Sequence, residues 1–459
     1  MQHIDSLISQ QDDFFKQGNT IDVSFRKKAL IRLKKAILKN EDAILEALYA
    51  DLRKPKFEAY TSEIAVVITE LDYFIKNIER LAKPKRVKAS LLNFPSKDYI
   101  YQDPYGRVLI MAPWNYPFQL VINPLVAAIA AGNCVICKPS EITLNTSTLL
   151  EKLISEIFNP AHVAVVQGAI ETNQYLLAQK WDYIFFTGST IVGKIVMKAA
   201  AEHLTPITLE LGGKSPVIID RKANIALSAK RIAWGKLYNA GQTCIAPDYI
   251  CVHESQKDEL IKALSFEFDK ALEGKAKLSN DYARIINARH YERIISLMDK
   301  GKIVYGGNID AGEHFIAPTI IDDVNWNDTI MKEEIFGPLM PIISFSDLDA
   351  IIEKINSFDK PLAAYFFGDS KKAQQQFLDR LYFGGGCIND TIIHITSPEI
   401  PFGGVGASGI GSYHGAKSFE AFSHQKGIVN RATWIDLPFR YAPYKGKINL
   451  VKKLFKLLG

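Results

Sequence analysis

The 459-residue chain contains no stretch of about eighteen uncharged apolar residues, so no segment of it reads as a helix that crosses a bilayer. Residues 1–10 carry an acid, Asp5, and lack the apolar core of a signal peptide, which predicts a cytoplasmic protein. There is no low-complexity tract and no internal repeat, which excludes disordered linkers and solenoid architectures. Cysteine is scarce: five residues, an odd number without regular spacing, exclude a disulfide framework and fit a reducing compartment, so each thiol has to be explained singly. A basic stripe is missing as well. The net charge of +5 is carried entirely by Lys445, Lys447, Lys452, Lys453 and Lys456, in a tail with no acid, and a balanced body argues against a nucleic-acid binder.

Two motifs that would shortcut the reading are also missing in usable form. Gly404, Gly406 and Gly409 in GGVGASG match a dinucleotide fingerprint literally, but they open no βαβ unit and read as a turn-rich backbone segment. Cys134 and Cys137 form a CxxC inside a strand pattern, where positions i and i+3 face opposite sides. No second CxxC and no histidine pair completes a zinc site, so both thiols read as packing residues and no metal is expected.

What is present is a soluble, globular composition, with 47% hydrophobic and 23% charged residues, long enough for two or three domains. From about residue 21 to 78 apolar residues recur every three or four positions, as in FRKKALIRLKKAILKNEDAILEALYADL, which predicts a helical N-terminal region. A proline-interrupted stretch rich in β-formers follows, RVKASLLNFPSKDYIYQDPYGRVLIMAPW, and suggests strands and a hairpin-like excursion. Between residues 108 and 211 the runs GRVLIMAP, NCVICKP, AHVAVVQG, YIFFTG and ITLELGG alternate with NPLVAAIAAG and with helical patterns near 147–158, Gln174 and 191–203. Strands and helices alternating at this spacing predict right-handed βαβ units and a doubly wound parallel sheet, with ligands beyond the carboxyl ends of its strands. A second βα-rich stretch from residue 215 to about 389 predicts a second α/β domain.

In the first sheet Asn115, Lys138, Glu141 and Ser189 each follow an apolar run and should gather on one edge. Lys138 offers three donors and a point charge to a nucleotide hydroxyl or phosphate, although alone it reads more readily as a surface lysine at a strand end. Gly188 and Gly193 flank a helix start in FTGSTIVGK, where free amides and the helix dipole suit a pyrophosphate. The segment YNAGQTCIAPDYI, residues 238–250, has neither helical nor strand periodicity, and its Cys244 has no histidine within eight residues. A thiol is reactive only as thiolate and needs amides, a helix N-terminus or a positive charge nearby. Lacking the histidine that a cysteine hydrolase would use, Cys244 points to another source of charge, such as an oxidised nicotinamide ring. Glu210 ends an apolar strand before two glycines; it is either a structural partner or, with its pKa raised by burial, a base.

Taken in order, FTGST, LELGGKSP, GQTC and EEIFGP resemble the aldehyde dehydrogenase superfamily, over the chain from its N-terminal helices to about Lys426. HLTPITLELGGKSP, RIAWGKLYNAGQTCIAPDYI, NDTIIHIT and PFGGVGASGIGSYHG are most similar to its class 3 and fatty aldehyde dehydrogenase branch, which is typically dimeric. The resemblance implies an α/β fold with a Rossmann-like cofactor domain (1–84 and 103–208) and a second α/β catalytic domain (209–391). It further implies a small β bridging or oligomerisation element (85–102 and 392–440) and leaves a basic tail (441–459).

On the matching positions it implies Cys244 as the nucleophile that forms a thiohemiacetal and then a thioester, Asn115 and the Cys244 amide as oxyanion donors, and Glu210 as the base that activates water. Lys138, Glu141, Gly188, Ser189, Trp114, Glu334 and Phe336 would bind the cofactor, and Tyr116, Ile392, Ile395 and Phe402 would line an aldehyde tunnel. Their apolar character favours a medium- or long-chain aliphatic or an aromatic aldehyde. Glu141 favours NAD and leaves NADP use open, and the base role stays open between Glu210 and Glu334. A homodimer is the implied assembly. The tail places Ile448, Val451, Leu454, Phe455 and Leu458 on one helical face opposite Lys452, Lys453 and Lys456, a pattern that suits an anionic membrane surface, the tunnel mouth or a partner subunit. A cysteine-dependent esterase or acyl transferase, and a non-enzymatic peripheral membrane protein, are the competing readings.

Overall fold

In the computed structural model, which describes residues 1–90, 93–436 and 438–458, the chain enters through helices Gln2–Lys16, Val23–Lys39, Glu41–Leu52, Lys56–Ala59 and Ala65–Leu81. The first of these precedes the helical region expected from periodicity, because it buries only a narrow stripe, Ile4, Leu7 and Gln11. Gln11 spans the gap to the sheet by donating its Nε2 to the Val135 carbonyl, 2.9 Å away.

Among the described residues the strands form two large sheets and two small ones. The first large sheet runs Gly409–Ile410, Ile207–Glu210, Tyr183–Thr187, Arg107–Met111, Cys134–Lys138, Val163–Val165, and is parallel except for the two-residue edge strand. That edge strand comes from the glycine-rich segment set aside as a turn: Gly409 pairs with Glu210. The second large sheet runs Ile303–Tyr305, Thr319–Ile321, Leu339–Phe345, Tyr249–His253, Pro216–Ile219, Ala363–Phe367, Gly385–Ile388, parallel after its first strand. Lys85–Val87, Ser96–Pro104 and Ser423–Arg431 make an antiparallel three-stranded sheet apart from both.

The helix Gln119–Ala131 is apolar except for Gln119 and Asn123, and every one of its residues is buried, as a helix with so little polar surface requires. It belongs to an apolar cluster that takes in Leu33 and Phe74 from the N-terminal helices, Ile110 and Phe185 from the first sheet, and Ile219 and Ile250 from the second. Each such side chain removed from water contributes roughly 1.5–3 kcal/mol, so the site that follows is held between two sheets sharing one apolar cluster.

Residues 238–250 are less uniform than their lack of periodicity suggested: Tyr238–Gly241 forms a tight kink with left-handed backbone at Asn239 and Ala240, and Tyr249 and Ile250 already belong to a strand. Helix Ile448–Leu458 ends the described chain, with Ile448, Leu450 and Phe455 exposed beside Lys452, Lys453 and Lys456.

Candidate active site

At the carboxyl edge of the first sheet, strand Arg107–Met111 runs into residues 113–118, Tyr183–Thr187 into Gly188 and Ser189, and Ile207–Glu210 into residues 211–213. Residues 238–247 and 333–337 reach this edge from the other α/β unit.

The loop that carries Cys244 is bent by three consecutive residues at positive φ: Asn239, Ala240 and Gly241, at 52°, 50° and 75°. Residues with a Cβ hold that conformation only where their surroundings over-determine it. Here the Asn239 N–H donates to Glu58 Oε1 at 2.7 Å, and Asn239 Nδ2 donates to the carbonyls of Asn115 (2.8 Å) and Gln242 (3.1 Å). Gln242 Nε2 in turn donates to the carbonyls of Asn239 and Arg284. At Gly241 a Cβ would lie 2.3 Å from the Gly337 carbonyl oxygen, so the loops bearing Cys244 and Glu334 meet backbone to backbone. Gly241→Ala is therefore expected to cost about 1–3 kcal/mol in urea unfolding, and an unchanged midpoint would show that this contact constrains nothing.

Cys244 is partly exposed, and burial pushes its thiol well above the usual range, with the carboxylates of Glu334 and then Glu210 adding to the effect. Glu210 is 2% exposed, and neither carboxyl oxygen has a hydrogen-bond partner. Burial holds it well above the ordinary carboxylate range. Glu334 is anchored differently: its Oε2 occupies the space where Gly212 would carry a Cβ, 2.2 Å from that position, and it accepts from the Gly213 N–H. Burial, reinforced by the Asp248 carboxylate, pushes Glu334 up to about 8. Asp248 also accepts from the Ile335 N–H at 2.8 Å, which fixes the loop containing Glu334.

Two cavities converge on this group. The first, about 410 Å³, is largely apolar, with Phe57, Val66, Trp234, Tyr238, Leu362 and Ile393 in its walls. All the predicted tunnel positions, Tyr116, Ile392, Ile395 and Phe402, line it. The second, about 370 Å³, holds Trp114, Asn115, Gly188, Ser189, Glu334 and Phe336. The two share Leu120, Thr187, Glu210, Leu211 and Cys244.

The second cavity fits a dinucleotide. The twelve-residue helix Thr190–Ala201 begins in its wall, and an N-terminus of that length presents free amides and a positive dipole end to a pyrophosphate. Thr187 Oγ1 is buried there without a partner, and the Glu334 carboxyl lines the same cavity. Trp114 lies edge-on to Phe336 with ring centroids 5.4 Å apart, and its other neighbour is His290 at 4.8 Å. Burial, with Arg293 and Arg289 adding, pushes that imidazole down to about 4, so it is neutral at physiological pH.

Lys138 and Glu141 are not among the residues lining this cavity. Lys138 does sit at the carboxyl edge, paired in register with Met111, but one strand farther along the sheet. Its Nζ turns back to the Pro139 carbonyl at 2.7 Å and to Glu141 Oε2 at 3.3 Å. Sequence reasoning overlooked Phe57, Trp234 and Tyr238 in the first cavity and His290 and Arg293 in the second. Trp234 and Tyr238 lie four residues apart just before GQTC, a spacing that could have marked them. Nothing local singled out Phe57, a helix residue 78% exposed. Among the described residues no group of three or more His, Cys, Asp or Glu could hold a metal ion.

Comparison with known proteins follows the same lines. Residues 1–428 match the model described as the aldehyde dehydrogenase family. The chain is 49% identical over 445 residues to the 4,4'-diaponeurosporen-aldehyde dehydrogenase of Staphylococcus aureus, covering 96% of this chain and 97% of that protein. It is 44% identical over 432 residues to the dimeric NADP-preferring aldehyde dehydrogenase of Mus musculus, covering 94% and 95% of the two chains. Among solved structures, a substrate-bound state of Staphylococcus aureus AldH superimposes with a TM-score of 0.97 at 48% identity, covering 98% of this chain and 99% of that one. An NAD+ complex of a Bacillus cereus aldehyde dehydrogenase gives 0.85 at 26% identity, covering 94% and 89%.

Proposed function

The chain belongs to the aldehyde dehydrogenase family, and from that premise we propose how its residues divide the work of oxidising an aldehyde to a carboxylic acid. It is an NAD(P)-dependent aldehyde dehydrogenase. The observation that carries the assignment is the wall common to both cavities: an aldehyde in the apolar cavity and a cofactor in the other would meet only at Cys244, Glu210 and three neighbours.

Cys244 Sγ adds to the aldehyde carbon, forming the C–S bond of a thiohemiacetal. The developing oxyanion accepts from Asn115 Nδ2 and the Cys244 amide; losing one such donor typically costs a factor of about 10²–10³. When bound, with Glu334, Phe336, Trp114, Gly188, Ser189 and, from the neighbouring strand end, Lys138 holding it, the oxidised nicotinamide supplies the hydride acceptor and a positive charge near the thiol. The thioester left on Cys244 is attacked by a water whose proton Glu210 takes, and the C–S bond breaks to release the acid and the thiolate.

For the substrate, the apolar walls support a medium- or long-chain aliphatic or an aromatic aldehyde. Each methylene moved from water into such a cavity contributes about 0.8 kcal/mol, up to roughly fourfold in kcat/KM. Absorbance at the reduced-nicotinamide band is therefore expected to report kcat/KM rising with chain length from acetaldehyde upward. A flat or falling series would overturn the substrate class, and Cys244-dependent ester hydrolysis with no cofactor reduction would favour an esterase. For the cofactor, the Glu141 carboxylate beside Lys138 supports NAD over NADP, since it would repel a 2′-phosphate; the same assay with both cofactors measures the preference.

A homodimer and a cytoplasmic enzyme that touches membranes through its tail complete the reading. The exposed edge strand Ser423–Arg431, with Val429 53% and the following Trp434 74% exposed, supports docking of a second copy, as does the word dimeric in the mouse relative's name. Among the described residues no helix is long and apolar enough to cross a membrane. The tail helix has exposed Ile448 and Phe455 beside its lysines, which supports adsorption to an anionic surface. Analytical sedimentation should give twice the chain mass, and the full chain should pellet with anionic vesicles at low salt; a monomer, or no pelleting, overturns the corresponding half.

A further inference from the structure

Beneath the segment that carries Asn115 lies an ion pair removed from water. Lys54 and Glu63 have no side-chain exposure, and Lys54 Nζ is 2.5 Å from Glu63 Oε1. Desolvating two opposite charges is expensive, and their attraction offsets it only when the remaining donors and acceptors are satisfied. Here they are satisfied on the 115–119 segment. Lys54 Nζ donates to the Asn115 carbonyl at 3.2 Å, and Glu63 Oε2 accepts from the N–H groups of Phe118 (2.9 Å) and Gln119 (3.1 Å). Lys54 also stands over the Tyr116 ring, 4.2 Å from its centroid. The same Asn115 carbonyl accepts from Asn239 Nδ2, and Asn115 Nδ2 donates to the Gln242 carbonyl two residues before Cys244.

We propose that Lys54 is a positioning residue: with Glu63 it clamps residues 115–119 at both ends, and through the Asn115 carbonyl it sets where the Asn115 amide points relative to Cys244. This rests on the oxyanion role given to Asn115 above. A positively charged donor is the right tool at that carbonyl. It strengthens the bond relative to a neutral donor, and the buried carboxylate on its far side keeps the ammonium from turning away. A lysine bonded to a backbone carbonyl makes no claim on the Asn115 side chain, whose Nδ2 gives one N–H to the Gln242 carbonyl and keeps the other for the reacting oxygen.

The test separates positioning from general support by choosing two reactions of the same thiol. Acylation of Cys244 by p-nitrophenyl acetate passes through a tetrahedral oxyanion, whereas alkylation by iodoacetamide is a displacement at carbon without one. Lys54→Met alone leaves Glu63 charged and unpaired, so Lys54→Met/Glu63→Gln, which removes both charges, is made beside it. The expected result for the pair is a ten- to hundredfold loss in acylation and in aldehyde oxidation, with alkylation within about twofold of the unaltered enzyme. Placed in an Asn115→Ala background, the same two substitutions should cost less than about twofold more.

Equal losses in acylation and alkylation would overturn the proposal, because a merely structural role moves both. A full further loss in the Asn115→Ala background would overturn it too, because the pair would then not act through Asn115. If Asn115→Ala by itself acylates at the normal rate, it is the oxyanion assignment that falls, taking the clamp's purpose with it.

Discussion

Cys244→Ser is expected to lower aldehyde oxidation by on the order of 10⁴-fold or more while leaving cofactor affinity within about threefold of the unaltered enzyme. The size follows from the chemistry of the thiol and from the lack of a substitute. A serine hydroxyl is far less acidic than a thiol, and the shared wall offers it no histidine to take its proton. The other cysteines are badly placed: Cys134, Cys137 and Cys251 are buried, with thiols that burial pushes far above physiological pH. Cys387 is partly exposed, and its Sγ lies 3.6 Å from His394 Nδ1. Yet burial pushes that thiol up to about 11 and its imidazole partner down to about 4, and neither residue lines the cavities that meet at Glu210. Cofactor affinity should survive because a single oxygen replaces a single sulfur in a wall that Trp114, Ser189, Glu334 and Phe336 also build. Steady-state cofactor reduction and fluorescence titration of the nucleotide check the two halves. Residual activity above about 1% would move the nucleophile elsewhere, with Cys387 the next thiol to replace.

Much of this arrangement was readable because it is local. A strand that ends in a short motif puts its next residues on the carboxyl edge, so Asn115 and Ser189 could be assigned to one edge from alternating texture alone, and Glu210 could be read as the end of an apolar strand. What was not readable is lateral position along that edge. Lys138 and Glu141 follow a strand end as faithfully as Asn115 does, but their strand lies beyond Arg107–Met111, and the cavity is built over the strands on the other side. Side chains brought in from a distance were equally silent. Lys54 reaches Asn115 across 61 residues from the connection between helices Glu41–Leu52 and Lys56–Ala59, and Glu58 reaches Asn239 across 181 from the second of these, so neither is marked by the sequence around it. Phe57, which stands between Lys54 and Glu58 in sequence, becomes part of the wall only because its helix lies beside the first cavity.

The choice between Glu210 and Glu334 is where the structure makes the sharpest prediction. Both carboxyls are raised by burial, so raised pKa alone does not distinguish them. Their surroundings do. Glu334 is tied to the Gly213 N–H and lines the second cavity but not the first, whereas Glu210 has two free oxygens and faces both. A base must reach a water beside the thioester, and an oxygen already committed to a backbone N–H is held for recognition. Glu210→Gln is therefore expected to lower steady-state turnover by about 10²–10⁴-fold, the range general-base catalysis spans. It should still give a burst of reduced cofactor equal to one per active site, followed by a stall.

Glu334→Gln should instead raise the KM for cofactor and show no stall. The acidic limb of the pH–rate profile, where turnover falls as the base is protonated, should be lost in Glu210→Gln alone. Stability supplies an independent check with a defined sign. A carboxyl whose folded pKa lies above its unfolded value near 4.5 is favoured in the fold only while protonated. The native state therefore loses stability as pH rises from about 4.5 through the folded value. Removing that group with Glu210→Gln should raise the urea midpoint at pH 8 and leave it nearly unchanged at pH 4, as expected of a site that gives up stability for reactivity. A burst and stall in Glu334→Gln, with normal turnover in Glu210→Gln, would transfer the base role to Glu334 and make Glu210 a buried carboxylic acid that the reaction does not use.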